Sequence, residues 1–211
     1  MLAEKTDVQR VVDDIRDFQW AKLTRAELLA VAQAYYYFSV QFCENTDIAV
    51  RMYPDDQQLA ELRLGECDTD NLSPYPGLLL DGEKANHDEY MRRVITLSSL
   101  PWEEKLRVDR LGARYLAEVR QIDPKVRAMS LPSYEDGGLE TVFRAVLAAP
   151  DWDEPALAAF HHFLVGHIKL DSDPDHGHGS LCRHLVADDR VLPLWQGFRD
   201  LLAEAAPVLV A

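Results

Sequence analysis

Residues Phe160–Gly179 read FHHFLVGHIKLDSDPDHGHG, and six of the chain's seven histidines lie between His161 and His184. Phe160, Phe163 and Leu164 precede His167 by seven, four and three residues, the spacing of one helix face. At about 100° per residue, Asp171 lies roughly 40° from His167 and His178 roughly 20° from it on the same wheel. His161, His162, His176 and His184 point elsewhere on that wheel. Three metal-ligand side chains therefore extend a stripe that is otherwise apolar.

The same period governs most of the chain. Apolar residues recur at three and four in Val11-Val12-Ile15-Phe18, in Leu28-Leu29-Val31-Ala32-Tyr35-Tyr36 and in Leu106-Leu111-Tyr115-Leu116-Val119, and strand-like alternation is scarce. Thr24 stands three before Glu27, a capping-box signature at a helix start. Pro54, the Pro/Gly-rich stretch from Asp70 to Gly82, Pro101, Asp123-Pro124, Pro132, Gly137-Gly138 and the stretch Pro150–Pro155 punctuate the helices. Helices run from about Trp102 to Ile122 and from Leu194 to Ala205 on this reading. The expected architecture is all-α: one compact helical bundle over residues 1–211, with about eight to ten helices.

With 211 residues and 47% apolar content the chain is long and apolar enough for a substantial core. A net charge of -14 disfavours nucleic acid and anionic membranes as partners. The opening MLAEKTDVQR lacks a signal-peptide core and no apolar run is long enough to span a bilayer, so a cytoplasmic location is expected. Cys43, Cys67 and Cys182 have no metal-type spacing and argue against a disulfide framework.

A titratable side chain on an apolar helix face is costly to bury unless it is paired or bound to metal. Glu66 follows Leu62 by four and Leu59 by seven; His87 precedes Met91, Val94 and Ile95 at the matching spacings. Glu135 precedes Leu139, Val142 and Phe143 in the same way, across Gly137-Gly138. Taken singly, an inward histidine is commonly a hydrogen-bonded core residue, and an inward glutamate commonly pairs with arginine. As a set, Glu66, His87, Glu135, His167, Asp171 and His178 point to an iron or manganese site in a bundle, and the absence of thiolate ligands disfavours structural zinc. Pro174 breaks the run before His178, which leaves His176 as a competing last ligand.

This order of ligands resembles the haem-oxygenase-like diiron oxidases and oxygenases over about residues 30–205, most specifically in the His167-to-Asp171 phrase and in Tyr134-Glu135. Relative to that family the last histidine comes late, and the Pro/Gly-rich loop lengthens the gap between Glu66 and His87. Glu61 and Glu44 therefore stand as alternatives for the first ligand. The resemblance implies two iron ions, the second held more weakly, with manganese as an alternative. It implies O2 and a small organic substrate (amine, amino acid or fatty acid class), an external reductant, and compatibility with a homodimer. On this view Glu135 bridges, Glu66 and His87 hold one iron, and His167, Asp171 and His178 share the other. Tyr35, Tyr36, Tyr37 and Phe38 are candidates for a cavity lining, though more ordinary as core aromatics; Arg92 and Arg93 are candidate substrate anchors, more ordinarily salt-bridged. Two other readings compete: a cofactor-free enzyme on the same fold, like the thiaminase-type branch, and a non-enzymatic helical protein with a buried metal or polar cluster. A haem oxygenase is disfavoured, because no histidine precedes His87.

Overall fold

The computed structural model describes residues 5–171, 177–182 and 184–211, with Asp171 described in its backbone only. It is an all-α assembly: α1 Asp7–Arg16, α2 Arg25–Met52, α3 Gln57–Glu66, α4 His87–Leu97, α5 Trp102–Val119, α6 Pro124–Met129, α7 Leu131–Glu135, α8 Gly138–Val146, α9 Pro155–Asp171, α10 His178–Cys182 and α11 Leu192–Ala205. Among the described residues no helix is long and apolar enough to cross a membrane.

Helix α2 is the axis. Thr24 opens it with the expected capping box: its hydroxyl accepts from the Glu27 amide, and the Glu27 carboxylate accepts from the Thr24 amide at 2.8 Å. Leu28 through Tyr35 are buried without interruption, because α4, α5, α9 and α11 surround this part of the helix. Further along, α3 and α6 close over it. The aromatic centre follows from that arrangement. Phe38 stacks on Phe198 at 4.1 Å, Tyr134 meets Phe38 edge-on at 5.2 Å, and Phe143, Phe160 and Phe163 ring Tyr35.

Two helices assumed continuous are broken. Gly137 adopts φ 92°, a left-handed conformation open to glycine at little steric cost, and it separates α7 from α8. Glu135 therefore ends one short helix rather than preceding the next. Helix α9 stops at Asp171, and His178 opens the separate helix α10. Helix α5 ends at Val119, short of Ile122, because the Asp123 side chain caps α6 at the Lys125 amide.

Residues 67–86 form a loop between α3 and α4. Its neck is closed by paired backbone hydrogen bonds between Thr69 and Ala85 (3.2 and 2.9 Å), and by the Asp68 amide donating to Asn86 Oδ1 at 2.9 Å. The loop thus brings Glu66 at the end of α3 within reach of His87 at the start of α4.

Candidate metal centre

Five of the six proposed ligands converge. Glu66, His87, Glu135, His167 and His178 are each buried, with between 2% and 6% of their surface exposed. The side chain of Asp171 and the whole of His176 lie outside the described residues. Of the other first-ligand candidates, Glu44 is engaged elsewhere: it accepts from Arg120 and Arg127. Glu61 is exposed.

The five side chains fall into two groups whose potential ligand atoms lie within 4.8 Å of one another: Glu66, His87 and His167, and Glu66, Glu135 and His178. Glu66 belongs to both. In the first group His87 Nδ1 is 2.6 Å from Glu66 Oε2 and 2.9 Å from His167 Nε2. In the second, His178 Nδ1 is 2.8 Å from Glu66 Oε1 and 3.4 Å from Glu135 Oε2. Ligands about 2.0–2.2 Å from a common ion stand roughly 3 to 3.5 Å apart, so these separations suit ions seated on either side of Glu66.

The geometry therefore partitions the ligands differently from the family-based expectation. Glu66, at the C-terminal end of α3, belongs to both groups; Glu135, at the end of α7, falls among the described residues in the group of His178 alone. His167 pairs with His87 across the α4–α9 packing.

Hydrogen-bond accounting sharpens the chemistry. His167 Nδ1 lies 2.8 Å from the Phe163 carbonyl, which only accepts. Nδ1 thus carries the proton and Nε2 a lone pair. His87 Nε2 lies 3.0 Å from Asn71 Oδ1, while Asn71 Nδ2 donates to the Gly65 carbonyl at 2.8 Å. With its amide committed in that sense, Asn71 presents an acceptor, so Nε2 of His87 carries the proton. Both imidazoles then aim lone pairs, together with a carboxylate oxygen, at one point. Only a cation or an added proton is stable among them. Glu66 Oε1 and Glu135 Oε2 are fully buried, and both face His178 Nδ1; buried atoms of this kind are normally satisfied.

Electrostatics follow from burial and these neighbours. Burial opposes ionisation of Glu66, yet His87 and His178 hold it well below the usual carboxylate range. Glu135 is pushed up, first by burial and also by the charge of Glu66, with His178 opposing. Burial opposes the charge of His178 too, but Glu66 and Glu135 overcome it and raise that imidazole well above its ordinary value. His167 is lowered to about 3 by burial and then by His87, so it is neutral and ready to ligate. The ion-pair partners of both glutamates among the described residues are histidines, not arginines.

A cavity of about 10 Å³ adjoins the group, lined on its apolar side by Tyr35, Phe42, Leu139 and Phe163, with Ser39 between them. That is room for about one water molecule. Of the four aromatics Tyr35–Phe38, Tyr35 lines it; Phe38 is core, and Tyr37 donates to Asp109 at 2.7 Å. Arg92 and Arg93 form ion pairs with Glu89, and Arg93 also with Glu83. Cys43, Cys67 and Cys182 are buried, and none of them forms a disulfide among the described residues.

Residues that periodicity does not reveal complete the site. Asn71 reads in sequence as an ordinary turn residue, and Gly65 as a weak helix position. A Cβ on Gly65 would sit 2.7 Å from His178 Nε2, and one on Gly179 would sit 2.9 Å from the Glu135 carbonyl. Both glycines let α10 approach close enough to deliver His178. Gly65→Ala is expected to displace the His178 ring and weaken the Glu66–Glu135–His178 group by about 10–100-fold in metal affinity. Thermal stability is expected to change little, because alanine favours the helix by about 1 kcal/mol. Stoichiometric titration with Co(II) checks this: one tight equivalent in place of two.

Comparison with protein-family models, curated proteins and solved structures finds no match to this chain.

Proposed function

We propose that this chain is a non-haem diiron protein that uses O2 to oxidise a small organic substrate. The observation that carries the reading is the forced meeting of lone pairs: His87 Nδ1 and His167 Nε2 stand 2.9 Å apart with Glu66 Oε2 beside them, and Glu66 continues to a second group. Two carboxylates and three imidazoles without thiolate favour iron, with manganese as the alternative. The resemblance in ligand order to the haem-oxygenase-like oxidases supports iron and supports Asp171 as a further ligand.

Two ferrous ions, when bound, would supply two of the four electrons that reduction of O2 to water takes; the organic substrate and an external reductant would supply the others and restore the ferrous state. The chain's own residues do the rest. Glu66 spans the two positions and neutralises charge at both. The Phe163 carbonyl and Asn71 hold the imidazoles in the ligating tautomers. Tyr35, Phe42, Leu139 and Phe163 give the adjoining cavity an apolar wall that excludes bulk water. His178 holds a proton between Glu66 and Glu135 until a cation replaces it.

The small volume of the cavity favours one second reading, a protein that holds metal without an organic substrate. A cofactor-free enzyme using a cysteine nucleophile is disfavoured: the hydrogen bond with Cys67, and then burial, hold the Cys43 thiol well above its ordinary value.

Anaerobic titration with Fe(II) separates these readings. Two equivalents are expected to bind. Affinity is expected to tighten as pH rises, by about tenfold per pH unit for each proton displaced. The sign follows from His178: its raised value keeps the proton in place through neutral pH, where it competes with the cation. Admission of O2 is then expected to give a transient visible band with O2 consumption. Binding without O2 consumption supports the second reading; no uptake of metal overturns both.

A further inference from the structure

We propose that Asn71, delivered by the loop over residues 67–86, is the positioning residue that selects Nδ1 of His87 as the metal-binding atom. The inference rests on the dinuclear reading and deepens it.

An imidazole can ligate through either nitrogen, and the choice is set by what the other nitrogen meets. At His87 that partner is Asn71 Oδ1, 3.0 Å from Nε2. A free asparagine amide could turn over and offer its NH2 group instead. Here it is prevented, because Nδ2 donates to the Gly65 carbonyl at 2.8 Å and a carbonyl cannot donate in return. Gly65 immediately precedes Glu66. One side chain therefore ties the backbone beside Glu66 to the outer edge of His87, and it fixes both the spacing of these two ligands and the tautomer of one. The neck of the loop, closed by Thr69 with Ala85 and by Asp68 with Asn86, holds Asn71 in place. The Pro/Gly-rich stretch is thus a working part of the site.

The test uses ¹⁵N NMR of the histidine rings in the full chain, metal-free and after addition of Zn(II), a diamagnetic probe. In the unsubstituted protein His87 is expected to carry its proton on Nε2 and to bind zinc through Nδ1. Asn71→Leu covers Nε2 without accepting its proton. It is expected to mix the tautomers and to weaken zinc binding by about tenfold or more. Asn71→Asp restores an acceptor, though not the donor to Gly65, and is expected to recover Nδ1 ligation and most of the affinity. Retention of Nδ1 ligation and full affinity in Asn71→Leu overturns the proposal. So does a His87 whose Nε2 carries no proton in the metal-free, unsubstituted protein, whether or not the leucine variant folds. A chain whose histidine signals ignore zinc sinks the metal reading instead, while the metal-free spectrum still decides whether Asn71 holds the tautomer.

Discussion

Glu66→Gln is expected to lose both metal ions, whereas Glu135→Gln loses one. The two glutamates are alike in burial; they differ in reach. Glu66 offers Oε2 to the pair His87 and His167, and Oε1 to His178 beside Glu135. Its replacement removes a negative ligand from each group at once. Among the described residues Glu135 is grouped with His178 and Glu66 and not with His87 and His167, so the His87–His167 group keeps all its ligands when Glu135 is changed. Loss of an outer-shell partner alone costs about 10–100-fold in metal affinity; loss of a shared ligand is expected to exceed the upper end of that range at both positions. Titration with Co(II), read by stoichiometry and by the ligand-field spectrum, distinguishes the two variants. Two ions retained in Glu66→Gln, or both lost in Glu135→Gln, contradicts the partition.

Phe163→Ala is expected to give a large loss of stability. Phe163 is 1% exposed, stacks on His167 at 4.0 Å, and meets Tyr35 at 5.4 Å, His87 at 5.7 Å and Tyr90 at 5.8 Å. Removing a buried phenyl ring costs about 3–5 kcal/mol, because the neighbours fill the space only in part. At about 2–4 °C per kcal/mol for a chain of this size, the melting temperature is expected to fall by about 6–20 °C. The carbonyl that fixes the His167 tautomer belongs to the backbone and survives the substitution. Metal affinity should therefore fall less than in Glu66→Gln, through loosened ring orientation alone. A thermal melt of the metal-free protein measures the first effect, and a drop below about 3 °C would show that the ring is not the packing hub described here.

The helical architecture was legible because apolar spacing is strong where helices bury one face, and the Thr24 cap appeared as read. Glu66, His87 and His167 were also legible, since each continues the apolar face of a real helix. Glu135 and His178 were found by a spacing that assumed continuous helices. The breaks at Gly137 and after Asp171 show that tertiary packing, not helix phase, buries them: α7 and α10 lie against one another, with Gly179 allowing the close approach. Which carboxylate is shared was not legible. It depends on the place where α3 ends and the angle at which the 67–86 loop returns the chain to α4. Asn71 left no trace in the pattern, because a loop asparagine that fixes a histidine looks like any turn former. The ion pairs of Arg92 and Arg93 fit the more ordinary reading of arginines on an exposed helix face.

Anomalous scattering at the iron edge, from crystals loaded with Fe(II) under anaerobic conditions, tests the dinuclear centre most directly. Two peaks flanking the Glu66 carboxylate are expected, one beside His87 Nδ1 and His167 Nε2 and the other beside Glu135 and His178 Nδ1. Iron found only at the protein surface, or no ordered iron in protein that remains folded, contradicts the account.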